Sequence, residues 1–208
     1  MPTEQTIQPV TGAEYEVIYG SPTEPRTPAA LFDYMVERLV GVKLATYEHA
    51  DPFRKRIPSN RRFLFVPPEP ATLDLAHLMS LVEFGGKTGQ NYLDVAHLVN
   101  LIEVPTGPCL LLDVEDGRAR TNVQPSVSRE AITAEGRIPY TTFRGIVHAF
   151  LLPVLGHHNM DLLGSRCGTV SVPNLCLLGD GPTLSSGYWG DDADPEWGAP
   201  SCGSQLVA

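Results

Sequence analysis

The apolar residues of this chain fall into two kinds of run, and the two kinds do not alternate regularly. Stripes at helical spacing occur at Leu31, Phe32, Met35, Val36 and Leu39, then at Leu75, Leu78, Met79 and Val82, and again at Phe143, Ile146, Val147, Phe150 and Val154. Between them lie short continuous apolar runs over residues 63–66 and 109–114, the form a buried strand takes. A stripe must be covered by another layer, and the irregular order of stripes and runs excludes the βαβ winding of a doubly wound sheet. The expected fold is therefore α+β, one globular domain over residues 27–208. It would hold a mixed or antiparallel sheet, several helices and a Gly/Pro-rich C-terminal tail. With 208 residues, 42% of them hydrophobic, the chain is long enough to bury such a core.

Turn and cap residues set the boundaries. Residues 1–26 are polar and read as a loosely held arm. Thr27-Pro28 supplies an N-cap and first-turn proline for a helix ending near Gly41. A second helix is expected from Thr72 or Asp74 to Gly85-Gly86, a third from Ser126 or Ser128 to Glu135-Gly136, and a fourth from Thr141, closed or kinked by Pro153. The last fifty residues offer short strands at 170–172 and 175–178 and a loop carrying both tryptophans. Asp74-Leu75-Ala76-His77-Leu78 recurs as Asp94-Val95-Ala96-His97-Leu98, a single local repeat and too little for a solenoid. In each copy a histidine follows an aspartate by three residues, a spacing that suits a hydrogen-bonded surface pair.

Composition narrows the partners. Fifteen basic against 24 acidic side chains give a net charge of −9, so no general attraction to phosphate backbones or anionic lipid is expected, and neither nucleic acid nor membrane is a predicted partner. No apolar run reaches the roughly 18 residues of a spanning helix, and the first residues lack a signal-peptide pattern, which predicts a cytoplasmic protein. Cys109, Cys167, Cys176 and Cys202 form no C-x-x-C pair and read as reduced thiols. The one basic cluster, Arg54, Lys55, Arg56, Arg61 and Arg62, reads as a solvated loop, with an anion site as the alternative. Gly86-Lys87-Thr88 is no nucleotide loop, because Leu81 stands where the motif requires glycine and the segment ends a helix instead of opening one. Esterase, zincin and dinucleotide fingerprints are absent, and no cofactor or metal is predicted.

The densest chemistry lies between His157 and Cys167. His157 and His158 titrate near neutrality, Asp161 is placed to orient a ring, and Arg166 is suited to a substrate carboxylate. These residues support a cofactor-independent small-molecule enzyme working by acid/base isomerisation, cyclisation, elimination or hydrolysis, with His157, His158 and Asp161 as the catalytic set. Arg166, Asp113, Tyr188, Trp189 and Trp197 are the expected substrate contacts. Asp113, Glu115 and Asp116 are close enough to raise one another's pKa or to bind a hard cation, the alternative being a solvated acidic turn. The aromatic group suits either stacking on a flat ligand or filling a small terminal core, which keeps a non-enzymatic ligand-binding or interaction domain as the alternative. Homo-oligomerisation is left open.

Several short motifs in fixed order carry a resemblance. Gly86-Lys87-Thr88-Gly89, Asp113-Val114-Glu115-Asp116-Gly117, Asn122 with Pro125, Gly136-Arg137 with Pro139 and Thr141, Gly164-Ser165-Arg166, Val172-Pro173-Asn174-Leu175 and a tail ending Ser201-Cys202 resemble an actinobacterial family known only as a domain of unknown function. The resemblance covers about residues 63–202. It implies a compact soluble bacterial domain and assigns no catalytic residue; Glu196 stands where the family's tail has a histidine. A role in secondary metabolism is the associated expectation.

Overall fold

A computed structural model describes residues 27–60, 62–179, 181–190 and 192–208. The predicted arm, residues 1–26, and Arg61 lie outside these residues. The first helix, α1 (Pro28–Gly41), starts where the caps require: Thr27 Oγ1 accepts a hydrogen bond from the Ala30 amide at 3.2 Å, and Pro28 occupies the first turn. Its whole predicted stripe is buried. A one-turn helix, α2 (Tyr47–Ala50), and a 3-10 turn over Asp51–Arg56 lead from α1 towards β1 (Phe63–Val66), where every residue is buried. The rings of Phe32 and Phe53 pack against Phe65 with centroids 5.5 and 5.8 Å away, so α1, the 3-10 turn and β1 share one core.

The next helix, α3 (Leu75–Ser80), is shorter than its stripe predicts. Val82 is buried in the following turn, and β2 (Glu83–Phe84) and β3 (Lys87–Thr88) form a hairpin whose turn residues Gly85 and Gly86 have φ of 57° and 77°. Glycine is at home in that left-handed pair, so what reads as a helix stop is a hairpin turn. The second copy of the repeat folds differently: β4 (Gln90–Asn91) leads to a single 3-10 turn over Val95–His97 and then to β5 (Leu98–Asn100). Asp74 and Asp94 each cap their turn, and His97 Nδ1 lies 3.3 Å from Asp94 Oδ2, the surface pair expected.

The clearest predicted strand is β6 (Cys109–Leu112). It is the centre of an antiparallel three-stranded sheet, flanked by β1 and by the terminal strand β14 (Ser204–Val207). Helix α4 (Pro125–Ala134) follows, then β7 (Ile138–Pro139) and α5 (Thr142–Leu151). Every residue of α5 is buried, because the helix touches both β1 and the second sheet. It stops before Pro153, and Leu152 is extended as a residue preceding proline must be.

The second sheet has seven strands among the described residues. Its spine is the hairpin β10 (Ser171–Leu178) and β11 (Gly181–Tyr188), flanked by β8 (Asn159–Asp161) and β4; β9 (Ser165–Cys167) joins β10 to β5. At the edge, β12 (Trp197–Gly198) runs parallel to β8, while most other pairs are antiparallel, so the sheet is mixed. The last short pair joins β13 (Ser201–Cys202) to β7. The architecture is α+β. Much of the segment read as a tail is strand, and one core cluster runs from Leu31 to Cys202. The cysteines at 109, 167, 176 and 202 are free thiols.

Candidate functional site

The acidic turn after β6 builds a closed charged interior. Asp113 takes a left-handed conformation (φ 50°), which turns the chain, and Glu115 exchanges two backbone hydrogen bonds with Ser201 at 2.8 and 2.9 Å. Its buried carboxylate accepts from the Gly117 and Ala119 amides, each at 2.9 Å, and from Arg120 Nη1 at 3.2 Å, while Arg120 also binds Glu135. Burial and the neighbouring Asp116 push the Glu115 pKa up; those hydrogen bonds and Arg120 oppose the rise.

Asp116 faces the other way. It is 0% exposed, accepts from the Arg118 amide at 3.1 Å, and lies 3.6 Å from His158 Nε2. On the far side of the same ring, Nδ1 is 2.9 Å from the Asn159 carbonyl. A carbonyl only accepts, so Nδ1 carries a proton, and the carboxylate on the opposite side favours a second proton on Nε2. Burial works against that charge, but Asp116 outweighs it and the His158 pKa lies above its ordinary value. Asp116 is held below the usual carboxylate range, its own burial being outweighed by His158. The two come together through glycine: a Cβ on Gly117, whose φ is 114°, would stand 3.0 Å from both His158 Cε1 and the Gly198 backbone. His148, on α5 and fully buried, has its pKa pushed down to about 4 by burial, against the pull of Asp116.

An open cleft lies on the other side of β8. Asp161, Asn174 and Ser185 stand opposite one another on β8, β10 and β11 and make a polar row across three strands. Asp161 and Asn174 are each 5% exposed, and Ser185 Oγ donates to Asn174 Oδ1 at 2.6 Å. The row floors a cavity of about 340 Å³ whose mouth is formed by Asp192, Asp194 and Trp197. Residues 194 and 196, beside the cleft, are tied to the rest of the fold by backbone hydrogen bonds. The Asp194 carbonyl accepts from the Asn122 and Trp197 amides at 2.9 and 3.1 Å, and the Glu196 carbonyl accepts from Asn159 at 2.7 Å.

The residues named from the sequence are thus dispersed. Asp161 and Trp197 meet in the cleft. His157 is exposed and His158 turns inward, so the adjacent histidines point apart, and the carboxylate beside His158 is Asp116. The His157 pKa is lowered by partial burial and by Arg118. Asp113 is held between Arg62 and Arg137 at 2.7 Å each. Arg166 sits on β9 opposite Val99. Tyr188 is exposed at the end of β11, and Trp189 belongs to a separate open groove of about 680 Å³ against α4. There the Arg129 guanidinium lies 5.7 Å from a Trp189 ring centroid and donates to the Leu163 carbonyl. In the basic cluster, Arg54 pairs with Asp33 and Asp51, Arg62 with Asp113, and Arg56 bonds the Val207 carbonyl.

Sequence reasoning did not single out Asn174, Ser185 or His148, nor the pairing of Asp116 with His158. Only Asn174 left a signal, alternating with Val172 and Cys176 on one face of its strand. Among the described residues no group of three or more His, Cys, Asp or Glu is placed to hold a metal ion, and no helix is long and apolar enough to cross a membrane.

The fold and site define an α+β protein with a sealed acid–histidine pair and, separately, a small acidic cleft over a polar sheet face. Residues 30–186 match the model of DUF5701, a family of unknown function, and the chain belongs to that family. No curated protein and no solved structure matches it.

Proposed function

We propose that the protein binds a small molecule in the cleft floored by Asp161, Asn174 and Ser185. The observation that carries this reading is the polar row itself: Asp161 and Asn174 are buried in the sheet, yet both face a concavity of about 340 Å³, within the size range of small-ligand pockets. Trp197 at the mouth adds the aromatic wall such sites use.

Acid/base catalysis is the second reading, and one placement favours it. Asp161 is the catalytic candidate from the sequence that lines the cleft, which suits it to move a proton on a bound substrate. His157 and His158 give this reading less support, the first lying at the surface and the second held between Asp116 and the Asn159 carbonyl. An actinobacterial setting and a role in secondary metabolism rest on the family resemblance, a cytoplasmic location on the hydropathy pattern of the sequence, and all three belong to the same proposal.

The test uses the tryptophans as reporters. The chain has two, so Trp189→Phe leaves Trp197 as the single fluorophore. A metabolite panel screened by Trp197 emission and by thermal shift should yield compounds that alter the emission and raise the melting temperature together. Ligands that raise the melting temperature equally in wild type and Trp197→Ala, without touching the emission, would place binding elsewhere and refute the assignment.

A further inference from the structure

We infer that the charge on His158 sets the wall of the cleft: with the ring protonated β12 is held in place, and loss of the proton releases it and moves Trp197. The ring stands between two acceptors. Nδ1 is 2.9 Å from the Asn159 carbonyl, and Nε2 lies 3.6 Å from Asp116 Oδ1 with no hydrogen-bond partner of its own among the described residues. An imidazolium serves both sides, with a proton on each nitrogen. A neutral ring has one, so it turns a lone pair either on the Asn159 carbonyl or on a carboxylate that is itself fully buried. In an interior closed to water, solvent relieves neither clash, and the ring or its neighbour has to move.

Both neighbours are tied to β12. On one side, the Asn159 amide donates to the Glu196 carbonyl at 2.7 Å, and Asn159 pairs with Trp197 in the parallel ladder. On the other, Gly117 follows Asp116 and lies directly against Gly198: a Cβ on Gly198 would collide with the Gly117 carbonyl, and one on Gly117 would stand 3.0 Å from His158 Cε1. Whichever contact fails, the displacement falls on β12, and Trp197 in that strand lines the cleft. The titratable and charged groups around the ring single it out. The turn after β6 brings Asp116 and Glu115, the latter bonded to Arg120; α5 brings His148; the 3-10 turn over Val154–Gly156 leads into His157, beside Arg118; β12 brings none. Burial holds His148 at about 4, and burial with Arg118 lowers His157, so both are neutral above pH 6.5, where the His158 pKa lies.

The test is a pH titration of the Trp189→Phe protein without any ligand. Trp197 emission is read beside the NMR signal of the His158 Cε1 proton, assigned through His158→Gln. The two should step together, with one midpoint above pH 6.5. The step should persist in Cys176→Ser, which removes a thiol of the cleft that also titrates in alkali. Asp116→Asn should carry both midpoints down by about one pH unit or more. Emission that stays flat while the ring titrates, a step that disappears in Cys176→Ser, midpoints indifferent to Asp116→Asn, or a ring that keeps one charge state from pH 5.5 to 9.5 would each overturn the inference. The paired readouts come from one folded protein, so they decide the matter even where Asp116→Asn does not fold. With no ligand present, failure here leaves the small-molecule reading untouched.

Discussion

His148 sets an acid limit on this fold whose size follows from its surroundings. The ring is fully buried on α5, with the Tyr140 ring 5.8 Å away, and burial lowers its pKa from 6.5 to about 4. In the unfolded chain the same ring takes a proton near pH 6.5. Between the two values the unfolded state binds more protons, so stability falls as pH falls, starting near 6.5 and complete near 4. At about 1.4 kcal/mol per tenfold change in proton affinity, the loss is about 3 kcal/mol, which for a chain of this size is roughly 6–12 °C of melting temperature. Leucine at this position removes the titration while keeping the core apolar. Thermal unfolding followed by circular dichroism from pH 7.5 to 4 should show the wild type losing that much more than His148→Leu. Contributions from the surface carboxylates are common to both proteins and cancel in the difference. Curves that stay parallel within about 2 °C would show that His148 is not kept neutral by the core, and the reasoning would fail.

Three further outcomes test the closed interior. His158→Gln leaves Asp116 buried without its cation and should cost about 3–5 kcal/mol in urea unfolding, with much of the loss recovered in the double variant with Asp116→Asn; purely additive losses would mean the pair is not coupled. The raised His158 pKa implies that the pair's stabilisation is present below about pH 6.5 and is lost as pH rises through the folded-state value, so the penalty of His158→Gln should shrink in alkali. Gly198→Ala would set a Cβ 2.2 Å from the Gly117 carbonyl oxygen, a backbone clash expected to cost about 1–3 kcal/mol or more, whereas Gly41→Ala, with open space around it, should be neutral or stabilising by the same melt.

The two interior charge sites were legible from the sequence to different depths. Glu115 and Asp116 stood out as carboxylates able to shift one another, and they do interact, but their signs diverge because their partners differ. Arg120 lies five residues from Glu115 on a tight turn, whereas His158 lies 42 residues from Asp116. The repeat shows the same division: Asp74 and Asp94 cap their turns as the spacing requires, yet one turn continues into α3 and the other ends after three residues. Strand pairing on both sides, by β4 and β5, claims the second copy's backbone.

What the sequence by itself determined is local. The cap and stripe of α1, the buried run of β1, the strand β6 and the stop before Pro153 all follow from interactions within a few residues, where propensity, capping and periodicity act directly. What only the tertiary structure decided is which side chains meet. Asp161, Asn174 and Ser185 form a row because the register of three strands sets them opposite one another, and His157 and His158 part where the chain passes from a 3-10 turn, which His157 closes in a right-handed helical conformation, into β8. Register depends on how the hydrophobic faces of β8, β10 and β11 fit the core as a whole, a balance summed over the fold and carried by no single stretch of chain.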